Sequence, residues 1–211
     1  MLLGGLDNGT TAGFSVHRGD RLVHSESIHF DGETDGEVFS HARKWLMARL
    51  DHFGLDELAI EEPLRTDLAK TERTSVEGSN GLETVVTRKP IGTMRTFLRL
   101  YGLRAIALQV CDLHRRKRIE ANKSPFKYRE INNKTWRSKV YGKMSPPAGT
   151  NNTTEWWKEQ ALARCRMLGW SVTAKDEAEA VMIGEGLRII LKEERLGIVS
   201  APGEPDLFDA F

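Results

Sequence analysis

Four acidic residues in three separate segments stand where carboxylates could bind metal ions. Asp7 ends an apolar run, LGGLD, and Glu61 ends a second one, LAIE. Asp176 and Glu179 are three positions apart, so in a helix they share one face, with roughly 5 to 6 Å between their Cβ atoms. Like charges gathered around a buried sheet repel one another unless cations bind between them. Because sites with only oxygen ligands suit Mg²⁺ or Mn²⁺, we interpret these acids as a candidate metal-binding and catalytic set.

Each acid also has a purely structural interpretation. Asp176 could be a helix N-cap, with Glu179 as the acid of a capping box. Asp7 could form the turn that follows it, and Glu61 could be an ordinary acid at a strand end. The combination of two strand-end acids with a helical pair favours metal binding, whereas any one of these residues alone does not.

The elements that must position these acids follow from the apolar periodicity. Residues 2–30 alternate short apolar stretches with turn residues, which predicts three antiparallel strands. Amphipathic helices are predicted over 35–53 and about 92–118, and a short buried strand at 58–60 lies between them. The remaining predictions are a short strand at YREIN, a short helix or turn at NKTWRSKVYGK, a loop over 142–152, and helices over 154–168 and about 175–196.

The segment from 65 to 90 is polar, contains glycines and is weakly periodic. It is too long for an ordinary connection in a compact domain, so we predict a mobile functional loop there. The order of strands first, then helices alternating with further strands, is typical of an α/β domain with a mixed sheet. We therefore predict one domain over residues 1–200 and a flexible tail over 201–211.

The composition excludes several classes of protein. With 39% hydrophobic and 29% charged residues, the sequence has no apolar run near the roughly 18 residues of a membrane span, so we expect no membrane partner. The first residues do not resemble a secretory signal, and Cys111 and Cys165 form no CxxC or Cys/His cluster. Both observations favour a cytoplasmic protein with reduced thiols. None of the six histidines forms a metal-spaced pair, which argues against a zinc hydrolase.

Basic residues are concentrated between Arg115 and Lys143, where eleven Lys or Arg residues stand against two acids. The net charge of the whole chain is only +1. Lys and Arg neutralise phosphates, so we predict a nucleic-acid-binding face in this stretch. Its candidate residues are Arg115, Arg116, Lys117, Arg118, Arg137, Lys139 and Lys143. Trp136 could stack on a base, although packing against the sheet is the more ordinary role for it.

The order of four segments resembles that of the RuvC group of Holliday junction resolvases and their phage relatives. These segments are LGGLDNG, LAIEEP, a WRxxxxG run from Trp136 to Gly142, and a final helix opening with DEAEA. The likeness covers nearly the whole chain and is weakest from 65 to 90. It implies a ribonuclease H-like fold, in which three antiparallel strands precede parallel strands and helices flank the sheet. It also implies a homodimer. The helix over 92–118 is apolar over much of its surface, so we expect it to form the dimer face, although burial within one subunit would give the same pattern.

The resemblance implies a chemistry and assigns residues to it. The family's first and second acids fall on Asp7 and Glu61, and its helical pair falls on Asp176 and on Glu179, where an aspartate is usual. Lys158 matches a lysine of the counterpart helix and joins the DNA-binding candidates. The implied enzyme is a crossover junction endodeoxyribonuclease, which hydrolyses phosphodiester bonds in branched DNA by paired nicks. Its implied cofactor is Mg²⁺, two ions per active site, for which Mn²⁺ can substitute.

Two other functions fit parts of the sequence. LDNGTTAGFSV is similar to the first phosphate loop, DxGTT, of the actin, sugar-kinase and chaperone ATPases, which favours ATP binding. Those proteins need two such lobes, and we find no second glycine-rich phosphate loop here. A catalytically silent DNA-binding protein of the same fold is compatible with the departure at Glu179. The final segment, EPDLFDAF, has the acidic and aromatic composition of a peptide that docks weakly on another protein, although a frayed terminus is the more ordinary interpretation.

Overall fold

The computed structural model describes residues 1–63, 69–78, 81–90 and 93–198, so the predicted tail at 201–211 lies outside the described residues. The predicted helices are confirmed, with ends that differ by no more than two residues. In chain order the elements are β1 (Leu2–Asp7), β2 (Thr11–Arg18), β3 (Arg21–His29), α1 (Asp35–Phe53), β4 (Glu57–Glu61), β5 (Ala69–Gly78), β6 (Gly81–Pro90), α2 (Met94–Glu120), β7 (Lys127–Ile131), α3 (Asn133–Tyr141), α4 (Thr153–Met167) and α5 (Lys175–Arg195).

Five of these strands form a mixed sheet in the order β3-β2-β1-β4-β7. The first three strands are antiparallel, as predicted, and β4 runs parallel to both β1 and β7. The register pairs Leu6 of β1 with Ile60 of β4. Asp7 and Glu61 each follow one of these paired residues, so the sheet carries both acids to the same edge.

Helices cover both faces of the sheet. Alternate residues of a strand point to opposite faces, so each strand contributes to two cores. Leu58 and Ile60 of β4 belong to the core under α1 and α2, whereas Ala59 between them belongs to the core under α3, α4 and α5. The sequence pattern of short apolar strands and amphipathic helices therefore produces a three-layer α/β domain. None of the described helices is long and apolar enough to cross a membrane.

The last helix, α5, lies unusually close to β1 and β2. A Cβ atom at Gly13 would overlap the carbonyl oxygen of Asp176, and one at Gly5 would overlap the carbonyl oxygen of Ala180. Only glycine leaves room for this approach of helix backbone to strand backbone. The two glycines therefore set the depth at which the start of α5 meets the carboxyl end of β1.

The prediction of a loop over 65–90 is wrong where the structure describes this segment. There β5 and β6 form a two-stranded antiparallel hairpin, with Ala69 opposite Pro90 and Gly78 opposite Gly81. The segment is polar, which obscured its strand character. It is nevertheless rich in Thr and Val, residues that favour extended backbone.

Candidate metal centre

Acids from the first strand and the last helix meet at one edge of the sheet. Oxygen atoms of Asp7, Asp176 and Glu179 lie within 4.8 Å of one another. Glu61 comes from the neighbouring strand end and shares a hydrogen bond with Asp7. The structure therefore brings together all four acids selected from the sequence, although they are as much as 172 positions apart in the chain.

The helical pair is not a capping device. The N-cap of α5 is Ala174, so Asp176 lies inside the first turn. Glu177, between the two candidates, takes the capping role: its carboxylate accepts a hydrogen bond from the backbone N–H of Ala174 at 3.4 Å and another from Ser25 Oγ at 2.6 Å. The structural interpretation of Asp176 and Glu179 is thus wrong, and their side chains are available to the acidic cluster.

Basic and polar side chains from α3 and α4 contact three of the four acids, Glu61, Asp176 and Glu179. Lys158 Nζ pairs with Asp176 and lies 3.7 Å from Glu179 Oε2. Arg137 donates to Glu179 Oε1 at 3.2 Å. These two cations offset part of the repulsion among the acids, but two positive charges cannot balance four carboxylates.

The electrostatics of the cluster oppose its full ionisation. Desolvation raises the pKa of Asp7 well above its ordinary value, and the nearby charges of Glu61 and Glu179 raise it further. The pKa of Glu179 rises to about 7 because of its burial and then the charge of Glu61, while Lys158 and Arg137 act in the opposite direction. Burial also raises the pKa of Glu61, against a hydrogen bond from Trp136.

This donor set fits a divalent cation. The clustered ligand atoms are all carboxylate oxygens, which hard cations such as Mg²⁺ and Mn²⁺ prefer. A bound cation would favour the ionised carboxylates that burial and mutual repulsion now disfavour. The residues present therefore match the metal site expected from the sequence.

The predicted DNA-binding residues do not form one face. Arg115, Arg116, Lys117 and Arg118 lie near the end of α2, where Arg118 donates to the carbonyl oxygen of Leu55 and Lys117 pairs with Asp51 at 2.8 Å. Leu55 precedes β4, whereas Glu61 ends it. At about 3.3 Å per residue, this basic group is roughly 20 Å from the acids, at the opposite edge of the sheet.

The other predicted DNA-binding residues lie nearer the acids or on α3 and the loop after it. Arg137 and Lys158 contact the acidic cluster itself. Lys139 pairs with Glu193 at 2.6 Å, and Lys143 is exposed in the loop after α3. That these residues bind DNA remains a prediction.

Two tryptophans complete the surroundings of the acids. Trp136 is completely buried, so it cannot stack on a base, and its indole N–H donates to Glu61 Oε1 at 2.9 Å. Trp157, which the sequence analysis did not select, lies with its ring centre 4.9 Å from the guanidinium carbon of Arg137. Its position beside Lys158 in the sequence was the only available signal.

Sequence comparison and structure comparison give different results for this chain. No protein-family model matches the sequence, and no curated protein matches it. Solved structures match over nearly the full length and define the class of fold as that of the RuvC Holliday junction resolvases, with a ribonuclease H-like mixed sheet. The resemblance found in the sequence is confirmed at the level of the fold.

Three solved structures illustrate this similarity. RuvC of Thermus thermophilus in complex with a Holliday junction substrate matches with a TM-score of 0.58 and 15% identity, over 93% of this chain and 96% of that chain. The structure of Thermus thermophilus RuvC gives 0.56 and 16%, over 93% and 97%. The yeast mitochondrial Holliday junction resolvase gives 0.53 and 11%, over 92% and 82%.

Proposed function

We propose that this protein is a metal-dependent endonuclease that hydrolyses phosphodiester bonds in branched DNA and resolves Holliday junctions by paired nicks. The observation that carries the proposal is the convergence of four carboxylates at one edge of a sheet with the RuvC fold. One similar protein was solved with a Holliday junction substrate, which supports the same substrate class for this chain.

We assign the metal site to Asp7, Glu61, Asp176 and Glu179, with two Mg²⁺ ions per site and Mn²⁺ as a substitute. When bound, these ions would supply an activated water and charge stabilisation for the phosphodiester. Asp7 shares a hydrogen bond with Glu61 and has an oxygen within 4.8 Å of the pair on α5, so it is the acid best placed to act with all the others. Lys158 and Arg137 orient the carboxylates through the contacts described above.

Paired nicks require two sites, and we propose that a homodimer supplies them. The start of α2 exposes large apolar side chains, with Met94 74% and Leu98 64% exposed. Exposed apolar residues on one helix are typical of a surface that another subunit covers. This surface supports the assignment of α2 as the dimer face.

The decisive experiment compares the wild type with Asp7→Asn on four-way, forked and linear DNA, in Mg²⁺ and in EDTA. We expect the wild type to cut the four-way junction in Mg²⁺ alone. The variant should fold and bind the junction but cut at least about 100-fold more slowly, because even residues that merely support a metal ligand contribute about 10- to 100-fold. Asp20→Asn, which makes the same exchange at an exposed turn between β2 and β3, is the matched control and should cut normally.

Other outcomes would identify the rival functions. Cleavage by Asp7→Asn at the wild-type rate in Mg²⁺ would remove Asp7 from the chemistry and contradict the proposed site. Tight junction binding by a wild type that never cuts would indicate the catalytically silent DNA-binding protein. Thermal stabilisation by ATP without any junction binding would indicate the ATP-binding alternative.

A further inference from the structure

The guanidinium of Arg137 lies over two indole rings. Its guanidinium carbon lies 5.0 Å from the ring centre of Trp136 and 4.9 Å from that of Trp157. Only 16% of the Arg137 side chain is exposed. We name these three residues, Trp136, Arg137 and Trp157, the arginine clamp.

The arginine clamp contacts two of the four site acids directly. Arg137 donates to Glu179 Oε1 at 3.2 Å, and the indole N–H of Trp136 donates to Glu61 Oε1 at 2.9 Å. Trp157 contributes the outer ring from α4, next to Lys158, which pairs with Asp176. Neighbouring residues of α3 and α4 thus hold carboxylates that come from β4 and α5.

Stacking restricts a guanidinium in a way that a single ion pair does not. A planar guanidinium that contacts two aromatic rings and is largely buried has few orientations open to it, so the direction of its N–H groups is restricted. The direction fixed here is toward Glu179. An arginine that binds DNA phosphates needs an accessible guanidinium, and only 16% of this side chain is exposed.

We propose that the arginine clamp is a positioning device, in which Trp157 holds Arg137 so that Glu179 is presented to a divalent cation. Arg137 then acts on the metal site and not on DNA phosphates, in contrast to its sequence-based assignment. This inference rests on the metal site of the proposed function and adds Trp157 as a positioning residue.

The test uses variants that keep the positive charge, because loss of charge would by itself change cation affinity. The Mg²⁺ dissociation constant of the full-length protein is measured by isothermal titration calorimetry without DNA. We expect Trp157→Ala and Arg137→Lys to weaken Mg²⁺ binding about 3- to 30-fold, the range that the loss of a desolvated cation–π contact allows. Trp157→Phe keeps an aromatic face and should recover most of the affinity.

Two controls keep the result specific. Arg166→Lys makes the same exchange at an exposed position of α4 and should leave Mg²⁺ affinity unchanged. Thermal unfolding of each variant identifies global destabilisation, and the conservative Trp157→Phe and Arg137→Lys exchanges keep the test valid if Trp157→Ala does not fold. Unchanged Mg²⁺ affinity in both Trp157→Ala and Arg137→Lys would overturn the proposal.

A second measurement separates positioning from phosphate binding. The salt dependence of junction binding in EDTA is compared for the wild type, Arg137→Gln and Lys143→Gln. A positioning residue leaves the slope of log K against log salt unchanged, whereas the loss of one phosphate contact lowers it by about 0.9. A lower slope for Arg137→Gln would overturn the inference. If the wild type binds Mg²⁺ but cuts no DNA, the proposed nuclease function is contradicted. The positioning role of the arginine clamp is still tested, because calorimetry measures Mg²⁺ affinity without DNA.

Discussion

Glu179 is the least exposed of the four acids, with 3% of its surface exposed. Its pKa of about 7 follows from burial, with the charge of Glu61 as the next cause. A carboxyl with this pKa is about half protonated at neutral pH, and a protonated carboxyl cannot bind a metal ion through both oxygens. At this residue, metal binding and proton release are therefore coupled.

We predict that the stabilisation of the protein by Mg²⁺ increases as the pH rises from 6 to 8. In the metal-free protein a raised folded-state pKa favours the protonated form, so the contribution of Glu179 to the free energy of unfolding is present at low pH. It is lost as the pH rises from the ordinary value of 4.5 through about 7. Mg²⁺ replaces the proton and reverses this loss.

Melting temperatures measured across this pH range, with and without Mg²⁺, test the coupling. Glu179→Gln cannot release a proton, so the pH dependence of its Mg²⁺ response should be smaller. A Mg²⁺-induced shift of the same size in wild type at pH 6 and pH 8 would contradict the prediction.

Sequence reasoning at the residue scale selected the acids but assigned their partners Arg137 and Lys158 to DNA. Asp7 and Glu61 could be selected because a polar residue that ends an apolar strand is visible in one dimension. Trp157 could not, because its stacking on Arg137 joins two helices whose relative placement no spacing encodes. The same limit left open whether Asp176 capped its own helix.

At the scale of elements, the seating of α5 on the sheet determines the geometry of the site. Asp176 and Glu179 reach Asp7 only because Gly13 lets the backbone of α5 approach β2. We predict that Gly13→Ala lowers the free energy of unfolding by about 1 to 3 kcal/mol, the usual cost of overpacking, and weakens Mg²⁺ binding as α5 is displaced. Denaturant unfolding and calorimetry measure the two effects.

Gly36 provides a matched control for this exchange. It lies in α1, where a Cβ atom would meet only Thr34 Oγ1 at 3.9 Å. Gly36→Ala should stabilise the helix by up to about 1 kcal/mol and leave Mg²⁺ affinity unchanged. If Gly13→Ala keeps wild-type Mg²⁺ affinity, then the close approach of α5 does not set the site.

Elements were predicted well where periodicity was strong and poorly where it was weak. The 19 residues of α1 show a clear apolar stripe, and its bounds were predicted correctly. The β5–β6 hairpin has no comparable apolar alternation, and turn-forming residues inside a polar segment favoured a loop. A pair of strands outside the main sheet need not bury one face, so the usual sequence signal is weak.

At the scale of the whole molecule, α2 exposes apolar side chains near its start, and the acidic cluster lies at the carboxyl ends of β1 and β4. We predict that Leu98→Glu converts a dimer into a monomer, because a buried charge at an interface is strongly unfavourable. Sedimentation velocity should show the change in mass. The variant should keep its Mg²⁺ response and cut junctions by separate single nicks. If the wild type is already a monomer at micromolar concentration, the dimer proposal is wrong.

Charge is distributed over the molecule in a way that the linear sequence concealed. The basic stretch from Arg115 to Lys143 suggested one face, but the fold places its first four residues at one edge of the sheet and Arg137 at the other. Several of its cations pair with acids from distant elements, such as Arg129 with Glu57 and Glu194. The density of Lys and Arg along the sequence therefore overestimated the basic surface that is available to DNA.

The acidic cluster draws Asp7 from the first strand and two other members from α5, the last of the described helices. A ribosome makes α5 well after β1, so a growing chain carries an incomplete cluster until α5 has emerged and packed on β1 and β2. Fragments made by premature termination before α5 would lack half of the acids. A protein with the activity proposed here would thus stay inactive during translation until α5 has been made and has packed on the sheet.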